Sequence, residues 1–195
     1  MIVIDERLSI DPCRASTDQS WIFLSIVTGF FTFEELTLTY FDIRYRTFSK
    51  ELHIHHILGL IGYILTAYFN SGHYFGVLVF VLEASTPFSC ICWCLLKLKL
   101  ENTFIWKANQ WILIYVFHAR TFYELWIWYV CYKNWDNMKQ YLHWSFTLNL
   151  MTGLFLVTFW LTPYWTYRKT KQFFFPVDWN AGTKGKKKED IDKTS

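Results

Sequence analysis

The sequence predicts an all-α membrane protein, a bundle of about five transmembrane helices. Aromatic residues make up 22% of the 195 residues, a proportion that suits helices with Trp and Tyr at lipid–water interfaces. Charged residues are only 18% of the chain and are concentrated between long apolar runs. About five of those runs approach the roughly 20 apolar residues that cross a bilayer core. These three observations exclude an ordinary water-soluble domain.

The predicted spans follow one another from a polar N-terminus to a basic tail. Residues 1–20 are too polar for a cleavable signal peptide, so the first span is expected to direct its own insertion. Residues 21–167 form the predicted transmembrane domain, and residues 168–195 a Lys-rich tail that we expect to be disordered at its end. The predicted spans are Trp21–Phe41, Leu52–Phe69, Tyr74–Leu96, Phe104–Tyr129 and Tyr141–Trp165.

Loop charge predicts the orientation of these spans. The loop after the first span carries Arg44, Arg46 and Lys50, and the loop after the third carries Lys97 and Lys99. The segment between the second and third spans, "NSGH", contains no Lys or Arg. Because Lys and Arg are in excess on the cytosolic side of membrane proteins, we expect a lumenal N-terminus and a cytosolic C-terminus.

Four of the predicted spans carry polar groups at membrane depth. An ionisable group there costs roughly 3 kcal/mol or more unless it is paired or faces a cavity, so each one is a functional candidate. The candidates are Glu34 and Glu35 in the first span, His53, His55 and His56 in the second, Glu83 in the third, and His118, Arg120 and Glu124 in the fourth. We expect them to converge on one internal site, although Arg120 and Glu124 are also spaced to neutralise each other.

The second span carries small residues beside its histidines. His55, Gly59, Gly62 and Thr66 recur at three- and four-residue spacing and therefore share one helix face. Small residues let helices approach closely or leave room for a lipid chain. The same pattern also describes a packing seam beside interfacial histidines, so the face alone does not decide the function.

The third span carries a helix breaker close to its carboxyl group. In "LEASTPF", Pro87 follows Glu83 by four residues and has no N–H to bond the Glu83 carbonyl. We therefore expect a kink at Glu83, whose carboxyl group is protonated or paired with His or Arg. The alternative is a structural kink beside a Glu that only pairs helices.

Two chemistries suit histidines in a membrane. Metal-dependent lipid oxidation needs several clusters of His ligands, for which the six His of this chain are too few, and the Cys spacing matches no zinc pattern. No metal is therefore expected. In acyl transfer from acyl-CoA, a neutral imidazole takes a proton from a hydroxyl or amine, or is itself acylated.

The acyl-transfer hypothesis assigns roles to seven residues. The catalytic candidates are His55, His56, Glu83 and His118. Arg44, Arg46 and Lys50 would bind the phosphates of CoA, the co-substrate, on the cytosolic side. The alternative for these three bases is ordinary topology-setting charge.

Several stretches resemble the TLC-domain family, which includes ceramide synthases and translocating-chain-associated membrane proteins. The longest is "IHHILGLIGYILTAYFNSGHYFGVLVFVLEASTPFSCICWCLLK", and the others are "TGFFTFE", "FIWKANQW", "FHAR", "TPYWTYRKT" and "PVDWN". Together they cover most of residues 20–180 and are most similar to the ceroid-lipofuscinosis branch of that family. Members of the family usually have two further N-terminal spans, so the resemblance also implies either a truncated sequence or a short form.

The resemblance implies an endoplasmic reticulum protein of lipid metabolism that cycles to the ER–Golgi intermediate compartment. The paired histidines essential to acyl transfer in ceramide synthases match His55 and His56, which leaves His53 as an interfacial bystander. The acidic element of those enzymes has no counterpart here except Glu83, so sphingoid N-acylation is not expected. The alternatives are a non-catalytic cargo receptor and a lipid-binding sensor. Implied partners are membrane lipids, lysosomal hydrolases and ER–Golgi coat machinery, without nucleic acid.

Overall fold

Helices joined by short turns make up residues 6–176, the part of the chain that this computed structural model describes, and no β-strand occurs there. The predicted fold class is confirmed. The helices are α1 (Glu6–Ile10), α2 (Asp18–Tyr45), α3 (Lys50–Phe69), α4 (His73–Phe80), α5 (Thr86–Lys97), α6 (Phe104–Lys133), α7 (Trp135–Tyr141), α8 (Trp144–Leu156) and α9 (Thr162–Phe174). A 3₁₀ turn (Val81–Ser85) joins α4 to α5, and a π turn (Val157–Leu161) joins α8 to α9.

Within residues 6–176, four stretches are long and apolar enough to cross a membrane. They are Asp18–Tyr45, Lys50–Phe69, His73–Lys97 and Trp144–Phe174, which correspond to the first, second, third and fifth predicted spans. Helix α6 has 30 residues but does not meet the same standard. Its polar groups, among them Arg120 and Glu124, lower its hydropathy. The predicted tail begins inside α9, and its residues 177–195 lie outside the described part of the chain.

Local sequence signals set the ends of the helices that carry the site. Thr17 begins α2 with a capping box, in which its hydroxyl accepts from the Ser20 backbone N–H and Ser20 Oγ accepts from the Thr17 N–H. Arg46 ends α2 and Asn70 ends α3 in the left-handed conformation. Gly72, with φ of 74°, supplies the backbone freedom for the tight turn into α4.

Contacts divide the chain into two units. The described residues of the first are 6–84 and 118–164. In this unit α3 packs against α2 and α8, and α4 packs against α2 and α3. The core of this unit includes Leu24, Phe31 and Tyr63, while large apolar side chains of α2 such as Ile26 and Phe33 remain exposed. An apolar exterior of this kind is what a membrane protein presents to lipid.

The described residues of the second unit are 85–117 and 165–176. Its described core includes Cys92 and Phe117. Asn109 Nδ2 donates to the Phe88 carbonyl at 3.0 Å, and Gln110 Nε2 donates to Cys92 Sγ at 2.6 Å. These polar side chains therefore join α5 to α6.

Candidate functional site

An apolar cavity lies in the first unit, where α3 faces α2, α4 and α8. The empty space between its walls is about 750 Å³, including its open side. His55, Gly59, Gly62 and Thr66 all line it, so the predicted shared face of α3 is confirmed. Close helix approach at the glycines is also seen, because an added Cβ at Gly62 would lie 3.0 Å from the Asn149 side chain of α8.

The polar end of this cavity is a histidine–carboxylate pair. His55 Nε2 lies 2.8 Å from Glu83 Oε1, and both side chains are mostly buried, at 12% and 13% exposed. Glu83 lies in the 3₁₀ turn that interrupts the third span just before Pro87, as the proline predicts. A carboxylate that accepts from imidazole fixes the tautomer of the ring and stabilises its protonated form. The pair can therefore take up and release a proton beside an apolar space.

His56 lies next to His55 but is not among the described residues that line the cavity. The two ring centroids are 5.5 Å apart, and the Phe31 ring contacts both histidines. His56 Nε2 lies 3.4 Å from Glu34 Oε2, and His56 Nδ1 lies 3.8 Å from Glu35 Oε2. The structure thus brings the predicted pair together with separate acidic partners.

His53 is buried between two carboxylates, and its predicted place at a membrane interface stays a prediction. Its Nδ1 is 2.7 Å from Glu35 Oε1, and its Nε2 is 3.1 Å from Asp42 Oδ2. Sequence analysis missed Asp42 and the bridging position of Glu35. The available signal was the spacing of His53 and His56. They are three residues apart in the sequence, and this spacing places them on one face of α3.

The three candidate CoA-binding bases lie at the turn between α2 and α3. Arg44, Arg46 and Lys50 are all exposed there. Asp42 fastens this turn by accepting from Thr47 Oγ1 at 2.8 Å and from the Ser49 backbone N–H at 2.9 Å. The bases are therefore accessible to a polyanion, and their role stays a prediction.

The remaining predicted groups, His118, Arg120 and Glu124, are not among the described residues that line the cavity. His118 is exposed on α6 and does not belong to the cavity wall as the described residues form it. Arg120 Nε donates to Glu124 Oε1 at 3.0 Å, and Thr162 Oγ1 donates to the same oxygen at 2.6 Å. The predicted mutual neutralisation of Arg120 and Glu124 is confirmed, while a catalytic role for His118 stays a prediction.

In the part of the chain that the structure describes, no three His, Cys, Asp or Glu residues come together in a way that would hold a metal ion. The histidines near the cavity contact carboxylates.

Comparison with known proteins gives a consistent result. The TLC domain matches residues 3–170. Protein CLN8 of Canis lupus familiaris is 37% identical over 92% of this chain, and those of Mus musculus and Homo sapiens are 37% and 36% identical over 90%. In each case the chain spans 62% of the length of the relative. No solved structure gives a significant match.

Proposed function

The chain belongs to the TLC-domain family, and we propose that this multi-pass membrane protein transfers an acyl chain from acyl-CoA to a lysolipid-type acceptor in the endoplasmic reticulum. One observation carries the proposal. The His55–Glu83 pair, with 2.8 Å between Nε2 and Oε1, lies at the end of an apolar cavity. An acid–base pair beside a space for hydrocarbon is the minimum that acyl transfer to a lipid requires.

The cavity suits a hydrocarbon chain. Its wall runs along α3 from His55 to Thr66, a distance of about 16 Å at a helical rise of about 1.5 Å per residue. Phe75 and Phe146 contribute apolar surface to the wall. A chain in this space would be shielded from water while its carbonyl end reached the polar pair.

The proposed chemistry uses the pair as an acid and a base in turn. The hydroxyl oxygen of the acceptor attacks the thioester carbonyl carbon while His55 takes the hydroxyl proton. The carbon–sulfur bond then breaks, and His55 returns the proton to the thiolate, which gives an ester and CoA thiol. Glu83 stabilises the imidazolium between the two transfers.

The position of the basic turn supports CoA as the donor. Lys50 begins α3 five residues before His55, about 7.5 Å along the helix axis. Arg44 and Arg46 are exposed on the same turn and would bind the CoA phosphates. We propose that this turn faces the cytosol, where CoA is found, and that the N-terminus is lumenal.

The test is an acyl-transfer assay on the purified full chain in lipid nanodiscs, with labelled acyl-CoA and a panel of lysolipids. We expect the double variant His55→Ala/His56→Ala to lose the product. His143→Asn is the matched control, because Asn preserves the cap that His143 gives to α8. Equal product from wild type and the double variant would refute catalysis by this pair.

Lipid binding without turnover is a second candidate function, favoured by the apolar wall of the cavity. It predicts a stoichiometric bound lipid, which is lost when Gly153→Leu narrows the cavity, and no product in the acyl-transfer assay.

The family resemblance also supports a cargo receptor for lysosomal enzymes. Crosslinking to newly made lysosomal hydrolases and to ER–Golgi coat proteins tests that proposal.

A further inference from the structure

Glu35 of α2 lies between two histidines on one face of α3. Its Oε1 is 2.7 Å from His53 Nδ1, and its Oε2 is 3.8 Å from His56 Nδ1. The two histidines are one helical turn apart, so one carboxylate reaches both rings. The acyl-transfer mechanism above gives Glu35 no role.

The first half of this arrangement is rigidly held. His53 lies between Glu35 and Asp42, with one ring nitrogen within hydrogen-bond distance of each carboxylate. Phe48 stacks on the His53 ring with centroids 4.8 Å apart, and Asp42 is fastened to the turn by the Ser49 N–H. Glu35 Oε1 is therefore fixed in place.

The second half contains a gap. Glu35 Oε2 and His56 Nδ1 are both buried, and neither atom has a hydrogen-bond partner among the described residues. They face each other at 3.8 Å, whereas a hydrogen bond of this type is about 2.7–3.2 Å long. Two buried polar atoms without partners are unfavourable, and a small movement of either side chain would pair them.

We propose that Glu35 is a positioning residue for His56, accepting from its Nδ1–H and so leaving the proton-accepting lone pair on Nε2. The hydrogen bond that one ring nitrogen makes sets which nitrogen carries the proton. Nε2 faces Glu34, whose side chain is 30% exposed, so this is the more open side of the ring. The catalytic part of this inference rests on the proposed function, whereas the tautomer does not.

The test reads the tautomer directly by ¹⁵N NMR of histidine-labelled full chain in nanodiscs. The signals of His56 are assigned by their loss in His56→Gln. We expect the Nδ1–H tautomer in wild type and its depletion in Glu35→Gln, where the amide can donate to Nδ1. Glu51→Gln, which removes a carboxylate from the first turn of α3, should leave the His56 signals unchanged.

His73 reports whether each variant is folded, because its fully buried ring lies 2.8 Å from Ser20 Oγ. If the Glu35→Gln variant loses the His73 signal, the Glu35→Asp variant is used in its place. Asp keeps the negative charge but moves the carboxylate away from His56. An Nε2–H tautomer in wild type, or an unchanged His56 spectrum in the folded variant, would overturn the proposal.

Activity separates this inference from the function on which it rests. In the acyl-transfer assay, Glu35→Gln should lower kcat by about tenfold, less than the roughly 10²–10⁴-fold that general acid–base catalysis contributes. An inactive wild type would refute acyl transfer, and the NMR result would still decide the role of Glu35. An active wild type with an unaltered Glu35→Gln kcat would overturn the positioning role alone.

Discussion

Replacing Gly59 by Ala is expected to destabilise the protein, whereas the same replacement at Gly153 is not. Both glycines lie inside helices and line the cavity. An added Cβ at Gly59 would lie 2.8 Å from Phe31 Cε1, but at Gly153 no atom would lie within 4 Å. Phe31 is 3% exposed, and its ring contacts Tyr63 at 5.4 Å between centroids, so it has little room to retreat.

The magnitude follows from comparing the two variants. Each Gly→Ala change gains about the same helix propensity, roughly 1 kcal/mol, so this contribution cancels between them. The clash with Phe31 costs about 1–3 kcal/mol, the usual range for an overpacked core. Gly59→Ala should therefore be less stable than Gly153→Ala by that amount. For a chain of this size the difference corresponds to a Tm about 2–12 °C lower.

The assay is thermal unfolding of wild type and both variants in one detergent–lipid mixture. Gly29→Ala is a further control, because its added Cβ also meets no atom within 4 Å. Coincident Tm values for Gly59→Ala and Gly153→Ala would show that Phe31 is not packed against α3 as described. Since Phe31 also contacts both rings of the histidine pair, the first variant should weaken acyl transfer as well.

Three further predictions follow from groups outside the cavity. Glu124→Leu should lower the free energy of unfolding by about 3–5 kcal/mol, because it removes the buried carboxylate that pairs with Arg120 and accepts from Thr162; a loss below about 1 kcal/mol in chemical denaturation would contradict this. Burial raises the pKa of Cys13 from 9.0 to about 11, so the folded thiol stays protonated at pH 8 and reacts slowly with maleimide. The rate at which maleimide labels Cys13 should rise as the pH approaches 11. A labelling rate at pH 8 equal to that of the unfolded protein would contradict the raised pKa. Gly72→Ala should lower Tm, because φ is 74° and the added Cβ would lie 2.7 Å from Phe146; an unchanged Tm would count against that turn geometry.

Periodicity along a single helix predicted the cavity face well. The three- and four-residue spacing of His55, Gly59, Gly62 and Thr66 depends only on helical geometry, and all four line the cavity. The break in the helix at Glu83 was equally predictable, since Pro87 has no N–H to bond the backbone carbonyl four residues earlier. Such features are local and need no knowledge of neighbouring helices.

Contacts between helices were less predictable. The place of His53 between Glu35 and Asp42 depends on how α2 and α3 cross and on the turn that joins them. The exposure of His118 depends on the rotation of α6, which carries polar groups on more than one face. The sequence also predicted a membrane span at α6, because its apolar run is long enough. The polar groups inside α6 make its hydropathy lower than that of the four candidate spans.

The most direct test of the central claim is photolabelling with an acyl-CoA that carries a diazirine in its hydrocarbon chain, followed by peptide mapping. If the cavity ending at His55 and Glu83 receives the acyl chain, adducts should form on its walls, at residues such as Leu58, Asn149 and Leu154. Excess unlabelled acyl-CoA should remove them. Adducts confined to the exposed outer face of α2, at Phe33 and Leu36, would contradict the account.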